Sequence, residues 1–137
     1  MPPPPCLPES RSPRAEEGQL WINERTLVEV VGESHYQDAL DQLCGGRCVD
    51  GHKVETPAVI SGEPENPYDP NAVQVLVREE LVGYLPRDAA AVVAPRLAAR
   101  PGRRYEVEAV ITGGWDRGRG DVGSYGVRVY LPPPNYI

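Results

Sequence analysis

The chain has 137 residues with 20 acidic and 14 basic side chains, a formal charge of −6 at pH 7, and it carries 16 prolines, 14 glycines, 7 tyrosines and no phenylalanine. This length holds one ordinary domain, and so many prolines exclude a helical bundle, because proline inside a helix costs about 3 kcal/mol. The acidic balance excludes a polybasic coat for nucleic acid while leaving room for a small basic groove on an acidic body.

Six prolines fall in residues 1–20 (Pro2, Pro3, Pro4, Pro5, Pro8, Pro13), a stretch with almost no large apolar side chains. Burial there cannot offset the entropy of ordering, so a disordered proline-rich tail is expected. The domain itself is expected over 21–131, with a short proline-rich C-terminal tail at 132–137. No run of about 18 apolar residues could span a membrane, and the start lacks the apolar stretch of a secretory signal, so the expected location is cytoplasmic. Three cysteines, of which Cys44 and Cys48 lie close together, make no disulfide framework.

Within the domain, Thr26–Val31 is β-branched and reads as a strand entering Gly32. Ser34 is placed to cap a helix with apolar positions Tyr36, Ala39, Leu40 and Leu43, stopped by Gly45-Gly46. Arg47–Lys53 reads as loop, Ala58–Ser61 as a strand and Gly62–Asn71 as turn. Ala72–Val77 alternates, with Val73, Val75 and Val77 on one face, and Leu81–Leu85 follows a tight Arg78-Glu79-Glu80 connection as a hairpin. Asp88 is placed to cap a second helix, Ala89–Ala99, which Pro95 is expected to kink or restart. Tyr105–Thr112 and Ser124–Leu131 alternate as two further strands around a loop rich in glycine and arginine. The order β-α-β-β-β-α-β-β predicts a mainly β, α+β domain: a small six-stranded barrel in the OB or SH3-like style with two helices. Hairpins between most strands argue against a parallel doubly wound sheet.

Three local patterns carry chemistry. In Glu63-Pro64-Glu65-Asn66-Pro67-Tyr68-Asp69-Pro70-Asn71, the prolines hold Glu63, Asn66 and Asp69 away from helix. Such a rigid loop can fix a tyrosine ring and a carboxylate at a barrel rim, and it can equally be a turn whose Asp69 and Asn71 bond local amides. In Val82-Gly83-Tyr84-Leu85-Pro86-Arg87-Asp88, a strand ends in an aromatic and an arginine as a helix begins, a setting suited to phosphate; alternatively Tyr84 packs on the barrel and Arg87 pairs with Asp88. Cys44-x3-Cys48-x3-His52 suggests zinc, but three ligands around a Gly-Gly turn fall short of a four-ligand site, so no metal is expected. No nucleophile elbow, paired carboxylates or triphosphate loop is present, so no enzyme and no cofactor are expected.

Taken together, EPENPYDPNAVQV, VGYLPRDAA and the preceding VVGESHYQDAL resemble the HIRAN domain, over roughly Leu27 to Leu131. The resemblance implies an OB-like six-stranded barrel with two helices, found in standalone bacterial proteins and in helicase-like DNA-repair factors. In the DNA-binding relatives this domain captures the 3′ end of single-stranded DNA. The positions implied here are Tyr68 and Asp69 for the pocket, with the carboxylate accepting from the 3′-hydroxyl, and Tyr84 and Arg87 for base and phosphate. Those relatives place arginine and tyrosine directly behind the first-strand glycine, where this chain has Glu33 and Ser34; His35 and Tyr36 stand next to supply an aromatic. The helicase and zinc-binding activities of larger relatives belong to domains other than this one and do not transfer.

The expected function is therefore a non-enzymatic module for single-stranded DNA at a free 3′ end in repair or processing, with a repair or helicase protein as a further partner. A protein-interaction barrel that has lost the pocket is the alternative, and a metal-dependent enzyme using Cys44, Cys48 and His52 a third. Charge is distributed in keeping with a local site. Residues 1–94 hold 16 acidic and 7 basic side chains, whereas residues 95–137 hold 4 acidic side chains and 7 arginines. Net acidity thus excludes only broad coating of duplex DNA.

Overall fold

The elements follow one another in the expected order in the computed structural model, which describes residues 25–137: β1 (Thr26–Glu29), α1 (Gln37–Cys44), β2 (His52–Gly62), β3 (Val73–Val77), β4 (Glu80–Tyr84), α2 (Arg87–Ala98), β5 (Arg104–Gly113) and β6 (Tyr125–Leu131). The proline-rich stretch 1–20 lies outside the described residues. All neighbouring strands are antiparallel, in the sheet order β1-β6-β5-β2-β3-β4. Beyond β1, Val31 meets Tyr84 of β4: the Val31 N–H donates to the Tyr84 carbonyl at 2.8 Å, and the Tyr84 N–H donates back at 2.9 Å. The two outer strands of the sheet are thereby joined, and the fold is the mainly β six-stranded architecture with two helices that the pattern predicts.

Alternation explains which face turns inward. In β3 and β6 every second residue is buried, and Val73, Val75, Val77, Val127, Val129 and Leu131 are nearly or wholly inaccessible. Leu40 of α1 and Val93 and Leu97 of α2 complete this core. Burying each such side chain contributes about 1.5–3 kcal/mol before the entropy of ordering is set against it.

Several expectations need correction. The strand expected at Ala58–Ser61 runs from His52 to Gly62, taking in the end of the expected loop Arg47–Lys53. Its first half was hidden by weak alternation and by Pro57, which lies where β2 is paired with β5 alone; β3 joins only from Val59 onward. Such one-sided stretches tolerate proline. Ser34 caps nothing. Gly32 takes a left-handed φ of 81°, residues Glu33–His35 form a 3-10 turn, and Tyr36 becomes the residue that precedes α1. The stop at Gly45-Gly46 is as expected, with the Gly46 N–H donating to the Asp41 carbonyl at 2.8 Å. Asp88 is not the cap of α2 either: Pro86 precedes the first turn, and its carbonyl accepts from the Ala90 N–H at 2.8 Å. The helix runs through Pro95 to Ala98, and the carbonyl deprived of a partner belongs to Ala91, on the exposed side. Residues 132–137, expected only as a tail, form a 3-10 turn at Pro134–Tyr136 docked on α2, where Arg96 Nε donates to the Pro134 carbonyl at 2.8 Å and Pro134 is buried.

Two backbone features are demanding. Gly83 sits so close to the chain leaving β1 that a Cβ there would collide with Val30 Cγ1 and come within 2.8 Å of the Val31 carbonyl oxygen. The β3–β4 turn places Arg78 and Glu79 at φ values of 53° and 69°, left-handed conformations costing side chains about 1–2 kcal/mol each. Glu79 is held there by Arg104, whose NH2 reaches both carboxylate oxygens at 2.9 and 3.0 Å.

Gly83→Ala is expected to destabilise the domain by about 3 kcal/mol in urea unfolding. Gly118→Ala, where only a left-handed φ of 86° and open space are met, should cost about 1 kcal/mol. Replacing Arg78-Glu79 with Asn-Gly should raise Tm by about 5 °C, because the exposed Arg104–Glu79 pair contributes less than the strain it accompanies; a lower Tm overturns this.

Candidate nucleic-acid interface

The Val31–Tyr84 junction decides what stands at one corner of the fold. It fastens the Gly32–Tyr36 turn to the end of β4, next to the loop that links β2 and β3. That loop is built around Glu63. Its Oε1 accepts from Asn66 Nδ2 at 2.9 Å and from the Tyr84 hydroxyl at 3.2 Å, and its Oε2 accepts from Gln74 Nε2 at 3.3 Å. Asn66 in turn accepts through Oδ1 from the backbone N–H groups of Tyr68 at 2.8 Å and Asp69 at 3.0 Å. Asp69 Oδ1 accepts from the Asn71 N–H at 2.9 Å, the local turn bond that its residue type favours. Two backbone bonds close the loop, Glu63 N–H to the Ala72 carbonyl and Ala72 N–H to the Asp69 carbonyl.

The loop therefore holds Tyr68 and Asp69 in fixed backbone positions while leaving their side chains different tasks. Tyr68 is 91% exposed, its ring turned to solvent. The side chain of Asp69 is 24% exposed, and its Oδ2 faces Arg87 Nε at 3.8 Å, too far for a hydrogen bond. Arg87 is itself 86% exposed, so the pair contributes about 0–1 kcal/mol and leaves the guanidinium able to take another anion.

Tyr84 is half-buried, and burial pushes its hydroxyl above the ordinary value; the Gln74 side chain opposes the rise, and the charge of Glu63 and the neighbouring Tyr36 add to it. Tyr36 is half-buried, with the His35 ring edge-on to it at 6.4 Å. Ser34 and His35 are both exposed.

Of the expected residues, Tyr68, Asp69 and Arg87 come together, and Tyr84 is tied to their loop through Glu63. Tyr36 ends the turn that the Val31 junction fastens beside β4. Among the described residues no bond joins Ser34 or His35 to the loop. The framework residues Glu63, Asn66 and Gln74 carry no mark of function in the sequence. Glu63 and Asn66 lay in plain view in the proline-rich motif, but Glu63's hold on Tyr84 exists only once β2, β3 and β4 are in register.

Cys44, Cys48 and His52 lie at the far end of β2. Cys48 Sγ is 3.7 Å from His52 Nε2, which also meets the Gly46 carbonyl at 2.7 Å. Among the described residues no group of three potential ligands assembles there. The His52 ring instead stacks on Tyr125 at 6.0 Å. Tyr125 is 2% exposed, and its hydroxyl donates to Asp41 Oδ1 at 2.7 Å. Burial and the Asp41 carboxylate push its hydroxyl well above the ordinary tyrosine value.

The HIRAN domain model matches this chain over residues 24–117. The chain belongs to the HIRAN family. HIRAN domains are known as DNA-binding modules, which supports nucleic-acid binding here in general terms. Structural comparison pairs this HIRAN domain with the crystal structure of the HIRAN domain of human HLTF, at 17% sequence identity and a TM-score of 0.39, covering 82% of this chain and 79% of that one. No curated protein matches the sequence. Among the described residues, no helix is long and apolar enough to cross a membrane.

Tyr84 and Tyr125 hold their protons more tightly folded than unfolded, so the stability this confers is complete below about pH 10 and is lost as the pH rises beyond it. Urea midpoints should fall between about pH 9 and about pH 11, and the fall should be smaller in Tyr84→Phe; an identical fall would show that Tyr84 does not contribute.

Proposed function

We propose that this HIRAN domain is a non-catalytic module that binds single-stranded DNA at a free 3′ end, in DNA repair or processing. The observation that carries the proposal is the pairing, on one rigid loop, of an outward tyrosine ring with a partly shielded carboxylate facing a loosely engaged arginine. A base stacked on Tyr68 gains about 1–3 kcal/mol. Asp69 Oδ2 then accepts from a terminal 3′-hydroxyl, while a phosphate in that place would set two anions against each other. Arg87 offers its fork to the preceding phosphate, beside the N-terminus of α2.

Fluorescence anisotropy with matched 3′-hydroxyl and 3′-phosphate oligonucleotides tests this. The hydroxyl end should bind about tenfold tighter. Asp69→Asn, which keeps an acceptor for the Asn71 N–H, should bring the two ends close to equal, and Tyr68→Ala should weaken both by about tenfold. Equal binding of the two ends by the unaltered protein removes the end-recognition claim.

The alternative, a protein-interaction barrel, draws support from Glu33. Its backbone N lies 3.7 Å from where a Gly83 Cβ would be, at the strand junction, and its carboxylate has no ion-pair partner among the described residues. An anion there opposes a nearby phosphate. Glu33→Gln should tighten DNA binding severalfold if the strand passes this corner. No DNA binding by either protein at low salt would favour the alternative.

A further inference from the structure

Gly62 is the residue immediately before Glu63, the hub of the candidate site, so their Cα atoms are about 3.8 Å apart. A Cβ placed on Gly62 would lie 3.7 Å from Arg103 Cβ and 3.8 Å from Arg103 Cδ. The stem of Arg103 therefore lies across the base of the loop that carries Tyr68 and Asp69. Its backbone lies in a tight turn: Gly102 and Arg103 take successive left-handed φ values of 68° and 55°, and the Arg103 N–H donates to the Arg100 carbonyl at 3.0 Å. A non-glycine residue in that conformation needs its surroundings to fix it, and such residues gather at binding surfaces. Arg100, at the other side of this turn, places its guanidinium 4.9 Å from the centre of the Tyr105 ring. That contact orients the cation without neutralising it.

The two arginines differ from their neighbours. Arg96 is spent on Pro134 and Asn135, Arg104 on Glu79, and Arg128 on Glu29. Neither Arg100 nor Arg103 lies within ion-pair distance of a carboxylate among the described residues. Two cations without a carboxylate partner among the described residues thus sit on the turn that leads into β5, with the Arg103 stem against the base of the loop that carries Tyr68 and Asp69, in a chain of net charge −6.

We infer that Arg100 and Arg103 form a second phosphate-binding step, which holds the DNA strand upstream of its captured end. This rests on the 3′-end reading above and extends it, turning a site for a terminal nucleotide into a short path for several. Acidic peptides are the competing class of ligand. The separation of the two cations by a rigid turn, next to a loop bearing an exposed stacking ring, favours a nucleic-acid strand.

The test uses the full chain, dinucleotide and dodecanucleotide single strands with 3′-hydroxyl or 3′-phosphate ends, and anisotropy over a salt series. Arg100→Ala/Arg103→Ala should weaken the dodecanucleotide about tenfold and lower its salt slope by about 1.4, the value for two phosphates on a single strand, with dinucleotide affinity unchanged. Arg100→Lys/Arg103→Lys, which keeps both charges, should restore most of the affinity and the salt slope, whereas a purely structural role would leave the slope unchanged in the alanine variant. Unchanged dodecanucleotide affinity and slope in the alanine variant overturn the inference while leaving end recognition standing. If the unaltered protein fails to distinguish the two ends yet the alanine variant still loses affinity and slope, the end reading falls and the phosphate step survives. Binding of an acidic peptide but of neither DNA overturns both.

Discussion

Two hydrogen bonds between Val31 and Tyr84 decide the shape of this protein. Without them the six strands form an open sheet with β1 and β4 as unpaired edges, the arrangement most exposed to wrong association. With them the sheet turns back on itself, and the Gly32–Tyr36 turn is brought to the end of β4. Gly83 is what makes the approach possible, since any side chain there would occupy the space of Val30. The core and the candidate site thus share one steric requirement. Valines facing inward from β3 and β4 are enclosed by the same closure that holds Tyr84 beside Glu63, which Gln74 also meets.

Glu63 gives the site its second organising element. A half-buried carboxylate that accepts from three side chains is well satisfied, and the hydrogen bonds it collects are of the stronger, charge-assisted kind. It joins the end of β2, the middle of the following loop, β3 and β4, so the loop reads the register of three strands. Function and fold are coupled here in an economical way: the residues that display Tyr68 and Asp69 outward are themselves held by inward-facing polar contacts. Electrostatics are local in the same sense. The body is acidic, Asp69 is balanced only loosely by Arg87, and Arg100 and Arg103, on the turn after α2, have no carboxylate within ion-pair distance among the described residues.

Much of this was legible in the sequence because the informative patterns are short-range. Val73, Val75 and Val77 announce a strand with one buried face, and Gly45-Gly46 announces the end of a helix by the backbone conformations glycine permits. The motif around Tyr68 and Asp69 was visible as a run of prolines and turn formers. What stayed hidden depends on contacts between distant residues. The first half of β2 has charged and polar side chains and a proline, and only its partner β5 makes it a strand. Ser34 looked like a helix cap because capping chemistry is local, yet the tight junction at Gly32 moves the helix start beyond it. The docked end of the chain was unreadable for the same reason, since Pro134 finds its place only against Arg96. Glu63 was read as part of a turn, whereas its partners Gln74 and Tyr84 lie 11 and 21 residues further along.

The pairing of β1 has a consequence for how the chain acquires this shape. Thr26 lies opposite Leu131 and Glu29 opposite Arg128, so the first described strand is aligned with the last. During synthesis, β1 leaves the ribosome with no sheet neighbour, and the segments between it and β6 must all emerge before its ladder can form. The β3–β4 hairpin and the β2–β5 pairing can assemble meanwhile, because their partners are nearer in sequence. Long-range pairing of this kind slows folding, since the entropy of closing so large a loop is lost before the contacts that compensate it appear. Interruption of translation anywhere before β6 therefore leaves a nascent chain in which β1 lacks the strand it pairs with, and so is open to pairing with neighbours on the same message.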